Sequence, residues 1–402
     1  MNGNSINNLA FLGGKAQYST PLVAGQMNLP QREIFEKVFR DIFTRRYYTN
    51  HGPLAQELED RLAGFFEVRH VVTMTNGTIA RMLAAKALNL TGKVIVPAFT
   101  LTATVQSLSW AGIEPLFCDV DPHTHLLTPE LVVPLLEGPN VSAILPVHLW
   151  GNLCHTEALE ELARRKGIPI YYDAAHAFGC TRNGKKAGCH GALEIFSFNP
   201  VNVFNTAEGG CVCTNDDDIA ERLRNLRSSY GRRKSVDIPI NGNGRFSEAQ
   251  AAMGLLNLED YPSIIAANKA RFELYNEVLG NIPGIRMLQP VVDEKSNYQS
   301  VVLEIDPNGF GLTKNQLIRL LEAENIHAQQ HFVSGTHRYM PYKECCLHNI
   351  DTFPTTDMLC ERVMQLCSGQ AVSLQDVRTI CELITFIHDN ADPLREHMPE
   401  EL

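Results

Sequence analysis

The feature that most constrains the fold is the alternation of short apolar segments with helical patterns through the first half of the chain. His70–Thr75 and Lys93–Pro97 are each followed by a stretch whose apolar residues recur at helical spacing. Val141–His148 and Ile168–Asp173 continue this pattern, which is typical of strands joined by parallel crossovers. Cys211–Thr214 follows a Glu-Gly-Gly turn and is predicted to return antiparallel. We therefore predict an α/β protein with a large, mixed but mostly parallel sheet and helices on both faces.

The chain has 402 residues, which exceeds the usual size of a single domain. Near residue 264 the pattern changes to a long amphipathic helix, followed by the strands and helices of a smaller α+β unit. We therefore predict an N-terminal arm at residues 1–30, a large domain at residues 31–263 and a small C-terminal domain at residues 264–402.

Composition excludes several classes of function. The formal net charge of -10 opposes nucleic-acid binding, which normally needs a basic face. No apolar run approaches the roughly 18 residues of a membrane span, and the N-terminal residues lack the order of a signal peptide. The cysteines are scattered and lack the paired spacing of zinc ligands. We predict a cytoplasmic protein with no nucleic-acid partner, no membrane partner and no metal site.

Polar residues follow two of the predicted strands at the points where those strands end. The apolar strand Ile168–Tyr172 leads into Asp173, and His176 follows three residues later. A second strand ends with Ser197. Ligands of open α/β sheets bind outside the carboxyl ends of the strands. We therefore expect these three side chains to face one site, although Asp173 taken alone also fits a cap of the next segment.

The turn Asn76-Gly77-Thr78 stands between a predicted strand and a predicted helix. Free N–H groups at a helix start, together with the helix dipole, favour an anion such as phosphate. A plain helix N-cap explains the same three residues.

These segments resemble the central motifs of the DegT/StrS family of nucleotide-sugar aminotransferases. The resemblance rests on Tyr172–Gly179, on Glu194–Gly210 and on the Asn-x-Arg-x-Ser-Glu-x-Gln-Ala-Ala pattern within Asn241–Gly254. It implies fold type I, with a sheet of seven-stranded type and a smaller C-terminal domain. It also implies pyridoxal phosphate (PLP) or pyridoxamine phosphate (PMP) as cofactor, a nucleotide-linked keto-sugar as substrate, and a homodimer.

The resemblance also implies a role for each matched position. Asp173 would keep the cofactor's ring nitrogen protonated, and His176 would donate to its phenolate oxygen. Leu101 stands where the family usually has an aromatic residue that stacks on the ring. The implied cofactor-binding residues are Asn76, Gly77, Thr78, Leu101, Asp173, His176, Ser197 and Asn243 of the partner subunit.

The family's Schiff-base lysine falls on Asn202 in this sequence. An amide nitrogen is neither basic nor nucleophilic, so Asn202 forms no Schiff base and moves no proton between substrate and cofactor. Lys185 and Lys186 lie in a predicted exposed hairpin and do not replace that lysine. We therefore expect any PLP or PMP to be held without a covalent bond.

Three interpretations follow from this departure. The first is an aminotransferase relative that keeps the cofactor pocket and has lost the lysine. The second is altered, dehydratase-like chemistry on PMP, with another group acting as base. The third is a catalytically silent binding subunit, or a partner of an active homologue. Cofactor binding distinguishes them, because a silent subunit has no need of the phosphorylated pyridine.

Overall fold

The structure, a computed structural model, describes residues 5–291, 294–345 and 353–398. The α-helices are α1 (Arg32–Arg45), α2 (Pro53–Phe66), α3 (Gly77–Ala87), α4 (Thr102–Trp110), α5 (Pro129–Val132), α6 (Thr156–Lys166), α7 (Asp217–Arg227), α8 (Glu248–Leu279), α9 (Pro307–Phe310), α10 (Lys314–Ala323), α11 (Tyr342–Cys345), α12 (Pro354–Arg362), α13 (Leu374–Asp389) and α14 (Ala391–Arg395). Short 3-10 helices cover Ile6–Asn8, Ala10–Leu12, Val133–Glu137 and Thr336–Arg338.

The strands are β1 (Leu22–Val23), β2 (His70–Met74), β3 (Lys93–Pro97), β4 (Glu114–Cys118), β5 (Val141–Ile144), β6 (Tyr172–Asp173), β7 (Thr181–Arg182), β8 (Lys185–Lys186), β9 (Glu194–Ser197), β10 (Gly210–Thr214), β11 (Ile285–Met287), β12 (Val301–Ile305), β13 (Ile326–His327), β14 (Gln329–Gln330) and β15 (Val363–Leu366).

The central sheet joins seven of the described strands in the order β2-β10-β9-β6-β5-β3-β4. Its two parts, β2-β10-β9-β6 and β4-β3-β5, meet through parallel bridges from Ile144 to Ile170 and from Val147 to Asp173. β10 runs antiparallel to both of its neighbours, while β9–β6, β3–β4 and β3–β5 are parallel pairs. The predicted mixed, mostly parallel sheet is therefore confirmed, including the antiparallel return at β10.

Burial explains why these strands read as continuous apolar runs. All five residues of β10 are buried, as are the last four of β2 and of β3. A strand covered on both faces by helices gains no stability from alternating polar residues. The carboxyl ends of β6 and β9, with Asp173 and Ser197, consequently open at the same edge of the sheet.

The long helix α8 begins with a capping box between Ser247 and Gln250. It runs without interruption to Leu279 and contains Pro262, so the long helix expected from about residue 264 is the second half of a helix that begins at Glu248. The boundary predicted between residues 263 and 264 lies inside it. Beyond α8, the antiparallel sheet β11-β12-β15-β14 packs with α10 and α13 around a second hydrophobic core. The arm contributes Leu9 to that core, and its strand β1 pairs with β13.

In the three described ranges, no helix combines the length and apolarity that crossing a membrane requires. The same ranges hold no group of three or more His, Cys, Asp or Glu side chains placed to bind a metal ion.

Candidate functional site

The turn Asn76-Gly77-Thr78, predicted to bind a phosphate and called the phosphate-type turn below, forms the start of α3. The Asn76 side chain caps the helix, with its Oδ1 accepting a hydrogen bond from the Ile79 N–H at 2.8 Å. Gly77 is buried against β9, where an added Cβ would lie 2.7 Å from the Cβ of Ser197. Thr78 follows, half-buried, in the first turn. The structure therefore places the turn Asn76-Gly77-Thr78 beside Ser197, through the close approach of Gly77. That these residues hold a phosphate stays a prediction.

Asp173 ends β6 and is almost fully buried. Its Oδ2 accepts from Arg81 Nε at 2.6 Å and from the Thr104 hydroxyl at 2.7 Å. Its Oδ1 accepts from Arg81 Nη2 at 3.0 Å and from the Ala175 N–H at 3.2 Å. Arg81 lies on α3 and is equally buried, so the two side chains form a bidentate ion pair shielded from water.

These contacts fill the acceptor capacity of the Asp173 carboxylate, which offers about four lone-pair sites. Burial alone raises the pKa of this carboxyl, but the Arg81 guanidinium and the hydrogen bonds from Arg81, Thr104 and Ala175 hold it below its ordinary value. Asp173 is therefore an anion whose charge the chain itself neutralises.

His176 lies beside this pair, with its ring centroid 5.5 Å from that of Trp150. Its Nδ1 is buried and has no hydrogen-bond partner among the described residues. Burial, assisted by the nearby His331, lowers the pKa of His176 to about 4, so the imidazole is neutral at pH 7. Trp150 is held in turn by His125, whose Nδ1 accepts from the indole N–H at 3.2 Å.

Asn202 is buried and satisfied at both ends of its amide. Its Nδ2 donates to the Ser197 carbonyl at 2.7 Å, and its Oδ1 accepts from Gln299 Nε2 at 3.2 Å. The Gln299 Oε1 accepts from the Val203 N–H at 2.9 Å, which fixes the loop after Asn202. The residue at the predicted lysine position thus has a structural role that needs a donor and an acceptor together.

We predict that Asn202→Asp lowers the free energy of unfolding by about 1–3 kcal/mol, because a carboxylate oxygen would face the Ser197 carbonyl without a proton to share. Urea denaturation at pH 7 measures the change. Asn241→Asp is the matched control at an exposed site and should shift stability by less than about 0.5 kcal/mol. Equal effects at the two positions would contradict the structural role of the Asn202 amide.

The remaining predicted residues lie at the surface. Leu101 precedes α4 and is 52% exposed. Phe99, two residues earlier, is buried against Phe332, with ring centroids 4.8 Å apart. Asn243 is exposed, and its Oδ1 accepts from Arg245 Nε at 2.7 Å. Its loop runs beside β2, because the carbonyl of the next residue accepts from the Thr75 N–H.

Sequence reasoning missed Arg81, Thr104 and Gln299. Arg81 carried a usable signal, because it interrupts the apolar, alanine-rich face of a helix expected to be buried. A buried cation is rarely found without an anionic partner. Thr104 and Gln299 gave no such signal, since a threonine in a helix and a glutamine near a strand are compatible with many environments.

Three comparisons with known proteins agree. The model of the DegT/DnrJ/EryC1/StrS aminotransferase family matches residues 31–385. The dTDP-4-amino-4,6-dideoxy-D-glucose transaminase of Shigella dysenteriae is 33% identical over 330 residues, which cover 81% of this chain and 89% of that protein. The crystal structure of DesI in the presence of its TDP-sugar product superposes with a TM-score of 0.93 at 35% identity, covering 98% of this chain and 99% of DesI.

A further solved structure bears on the cofactor. DesV of S. venezuelae, in complex with a ketimine intermediate, superposes with a TM-score of 0.79 at 27% identity, covering 90% of this chain and 95% of DesV. The prediction of PLP or PMP as the cofactor of these enzymes is confirmed. With the sheet order, the folded arrangement of the motifs and the family match in agreement, the chain belongs to the DegT/DnrJ/EryC1/StrS aminotransferase family.

Proposed function

We propose that this protein binds a nucleotide-linked sugar and does not carry out the lysine-dependent transamination of its family. The observation that carries the substrate class is the similarity to DesI, which was solved with its TDP-sugar product and covers 98% of this chain. Because both domains take part in that match, we assign the same class of ligand here, a thymidine-diphosphate-linked deoxyhexose with a keto or amino group.

The loss of transamination follows from Asn202, which we place at the Schiff-base lysine position. Its amide is neither nucleophilic nor basic. Both of its polar ends are also committed to Ser197 and Gln299. Lys186 offers no substitute, because its ammonium group is bound to the Phe65 carbonyl and to Glu67.

The residues present fit the cofactor only in part. The turn at Gly77 fits a phosphate, and the unpartnered Nδ1 of His176 fits a polar ligand atom. The ring end does not fit, because the Asp173 carboxylate has no acceptor site left for a pyridinium N–H. We therefore derive no catalytic step through PLP or PMP in this chain.

A second candidate function is PMP-dependent chemistry without lysine, and the phosphate-type turn at Gly77 is the observation that favours it. This chemistry requires the pyridine ring of PMP to reach Asp173, and the ring would have to displace Arg81 from its ion pair with Asp173. The silent binding subunit requires no such displacement. We prefer the silent subunit for that reason.

We also propose a homodimer. Leu29, Ile34 and Phe43 expose large apolar side chains on and just before α1, a surface that a second copy would cover. In such a dimer the exposed Asn243 would be available to the partner's site. The cytoplasmic location stays a prediction.

Calorimetric titration of the full chain tests the substrate class. We expect saturable binding of thymidine diphosphoglucose, at least about tenfold tighter than that of guanosine diphosphomannose, which a base-specific pocket would disfavour by about 1.4 kcal/mol. Amino transfer to a thymidine-diphosphate-linked 4-keto sugar should be undetectable. Failure of the thymidine ligand to bind at about 1 mM, equivalent to about -4 kcal/mol, would contradict the proposal.

A further inference from the structure

The side chain that most affects which ligand this site can bind is Arg81. It follows Gly77 by four residues on α3, so the two lie on the same face of the helix, one turn apart. Its side chain is 5% exposed, and its guanidinium points to Asp173 rather than to solvent. The phosphate-type turn and the buried cation therefore face the same part of the sheet edge, where Asp173 ends β6.

A guanidinium and a protonated pyridine ring make the same demand on a carboxylate. Each is a planar cation whose N–H donates to an oxygen of that group. In this chain Arg81 supplies two such donors, and Thr104 and the Ala175 N–H supply the other two. A ring nitrogen can reach Asp173 only when one of these bonds breaks.

Displacement of Arg81 is strongly opposed. Moving its guanidinium aside would leave a buried cation without its anion, which is the costly way to disrupt a buried pair. Displacement of Thr104 is also costly. Its side chain is fully buried, so a hydroxyl that lost the Asp173 oxygen would find no water to accept its hydrogen bond. The chain thus completes internally, with its own cation, a site that its relatives complete with a cofactor.

We propose that Arg81 is a specificity-determining residue that takes the place of the cofactor's ring cation and excludes PLP and PMP from this protein. The inference concerns cofactor selection and goes beyond the proposed function. Nucleotide-sugar binding is measured separately on the same samples, so the failure of one proposal is distinguishable from the failure of the other.

The direct test is equilibrium dialysis of the full chain against PMP, with bound PMP measured by absorbance. The native chain is expected to retain none, whereas Arg81→Leu should bind PMP about 100-fold or more tightly than the native chain, because the vacated anion then selects a cationic ring. Arg81→Leu/Asp173→Asn is the matched control, since it has no buried charge to pair and should not gain PMP binding.

A second pair of variants gives a covalent readout. With PLP, Asn202→Lys alone should show no attached cofactor after borohydride reduction and mass measurement. Arg81→Leu/Asn202→Lys should show attachment, since its lysine amine can condense with the PLP aldehyde and release water once the ring has a place to bind. Equal attachment in both variants would overturn the role of Arg81.

If the leucine variants do not fold, PMP binding by the native chain tests the proposal. Stoichiometric PMP retention by the native chain would overturn the proposal. No PMP retention, in a sample that still binds thymidine diphosphoglucose, would support it.

Discussion

Replacing Arg81 by leucine is expected to lower the free energy of unfolding by about 3–5 kcal/mol at pH 7 when no ligand is added. The variant keeps the Asp173 carboxylate buried but removes both N–H donors of the ion pair, at 2.6 and 3.0 Å. Thr104 and the Ala175 N–H remain and do not neutralise the charge. Urea denaturation followed by circular dichroism measures the loss.

The pH dependence identifies the cause. In the native chain the pKa of Asp173 is lowered from its ordinary 3.8, so its contribution to stability is present above that value and is lost as pH falls through the folded-state pKa. In Arg81→Leu, burial without a counter-ion raises the same pKa, and lowering the pH then favours folding. The difference in stability between the two proteins should therefore shrink on acidification.

A double-mutant cycle separates the pair from simple packing. Arg81→Leu/Asp173→Asn removes both charges and should recover part of the stability lost in the single variant, because no buried charge remains unpaired. A double variant as unstable as the sum of the two single variants would show that Arg81 and Asp173 act independently, in conflict with their bidentate contact.

The architecture was predictable because the burial of a strand shows in its own sequence as a run of apolar residues. Runs such as Val94–Val96 are apolar throughout because helices cover both faces of the sheet. The polar residues Asp173 and Ser197 were predicted from their position at strand ends, since ligands of open α/β sheets bind at the carboxyl edge of the sheet. The apolar runs and the strand ends can both be recognised from residues that are neighbours in the sequence.

The electrostatic state of the site was not predictable in this way. Arg81 and Asp173 are 92 positions apart, and their pairing depends on how α3 lies against β6. The sequence predicted that Asp173 would pair with the ring nitrogen of a cofactor, whereas in the folded chain Asp173 already pairs with Arg81. The continuity of α8 across Pro262 was not predicted for a related reason, because tertiary context can override the low helix propensity of proline.

The second large effect concerns Glu59, which lies on α2 and supports the strand that leads to the turn at Gly77. Its Oε1 accepts from the N–H and the hydroxyl of Thr73 in β2, at 2.9 and 2.8 Å, and from Arg227 Nη1 at 2.8 Å. Its Oε2 contacts His51 Nε2 at 2.8 Å. Although burial raises the pKa of Glu59, Arg227 and His51 lower it to about 2.

Glu59→Gln is expected to lower the free energy of unfolding at pH 7 by about 3 kcal/mol. A fall in pKa from the ordinary 4.5 to about 2 corresponds to about that energy, at roughly 1.4 kcal/mol for each pKa unit. Arg227, whose side chain is 3% exposed, would also lose its anionic partner. Thermal or urea unfolding of the two proteins, in the same buffer at pH 7, measures the difference.

The sign of the pH effect makes this prediction specific. The folded-state pKa of Glu59 is depressed, so its contribution is complete above pH 4.5 and is lost as pH falls towards 2. The stability difference between native chain and Glu59→Gln should therefore diminish over that interval, because the native carboxyl becomes neutral like the amide. Glu36→Gln, at an exposed pair with Arg32 on α1, is the matched control and should change stability by less than about 1 kcal/mol at any pH. A Glu59→Gln difference that stayed constant from pH 7 to 2 would show that hydrogen-bond geometry, and not charge, holds Arg227 and β2 together.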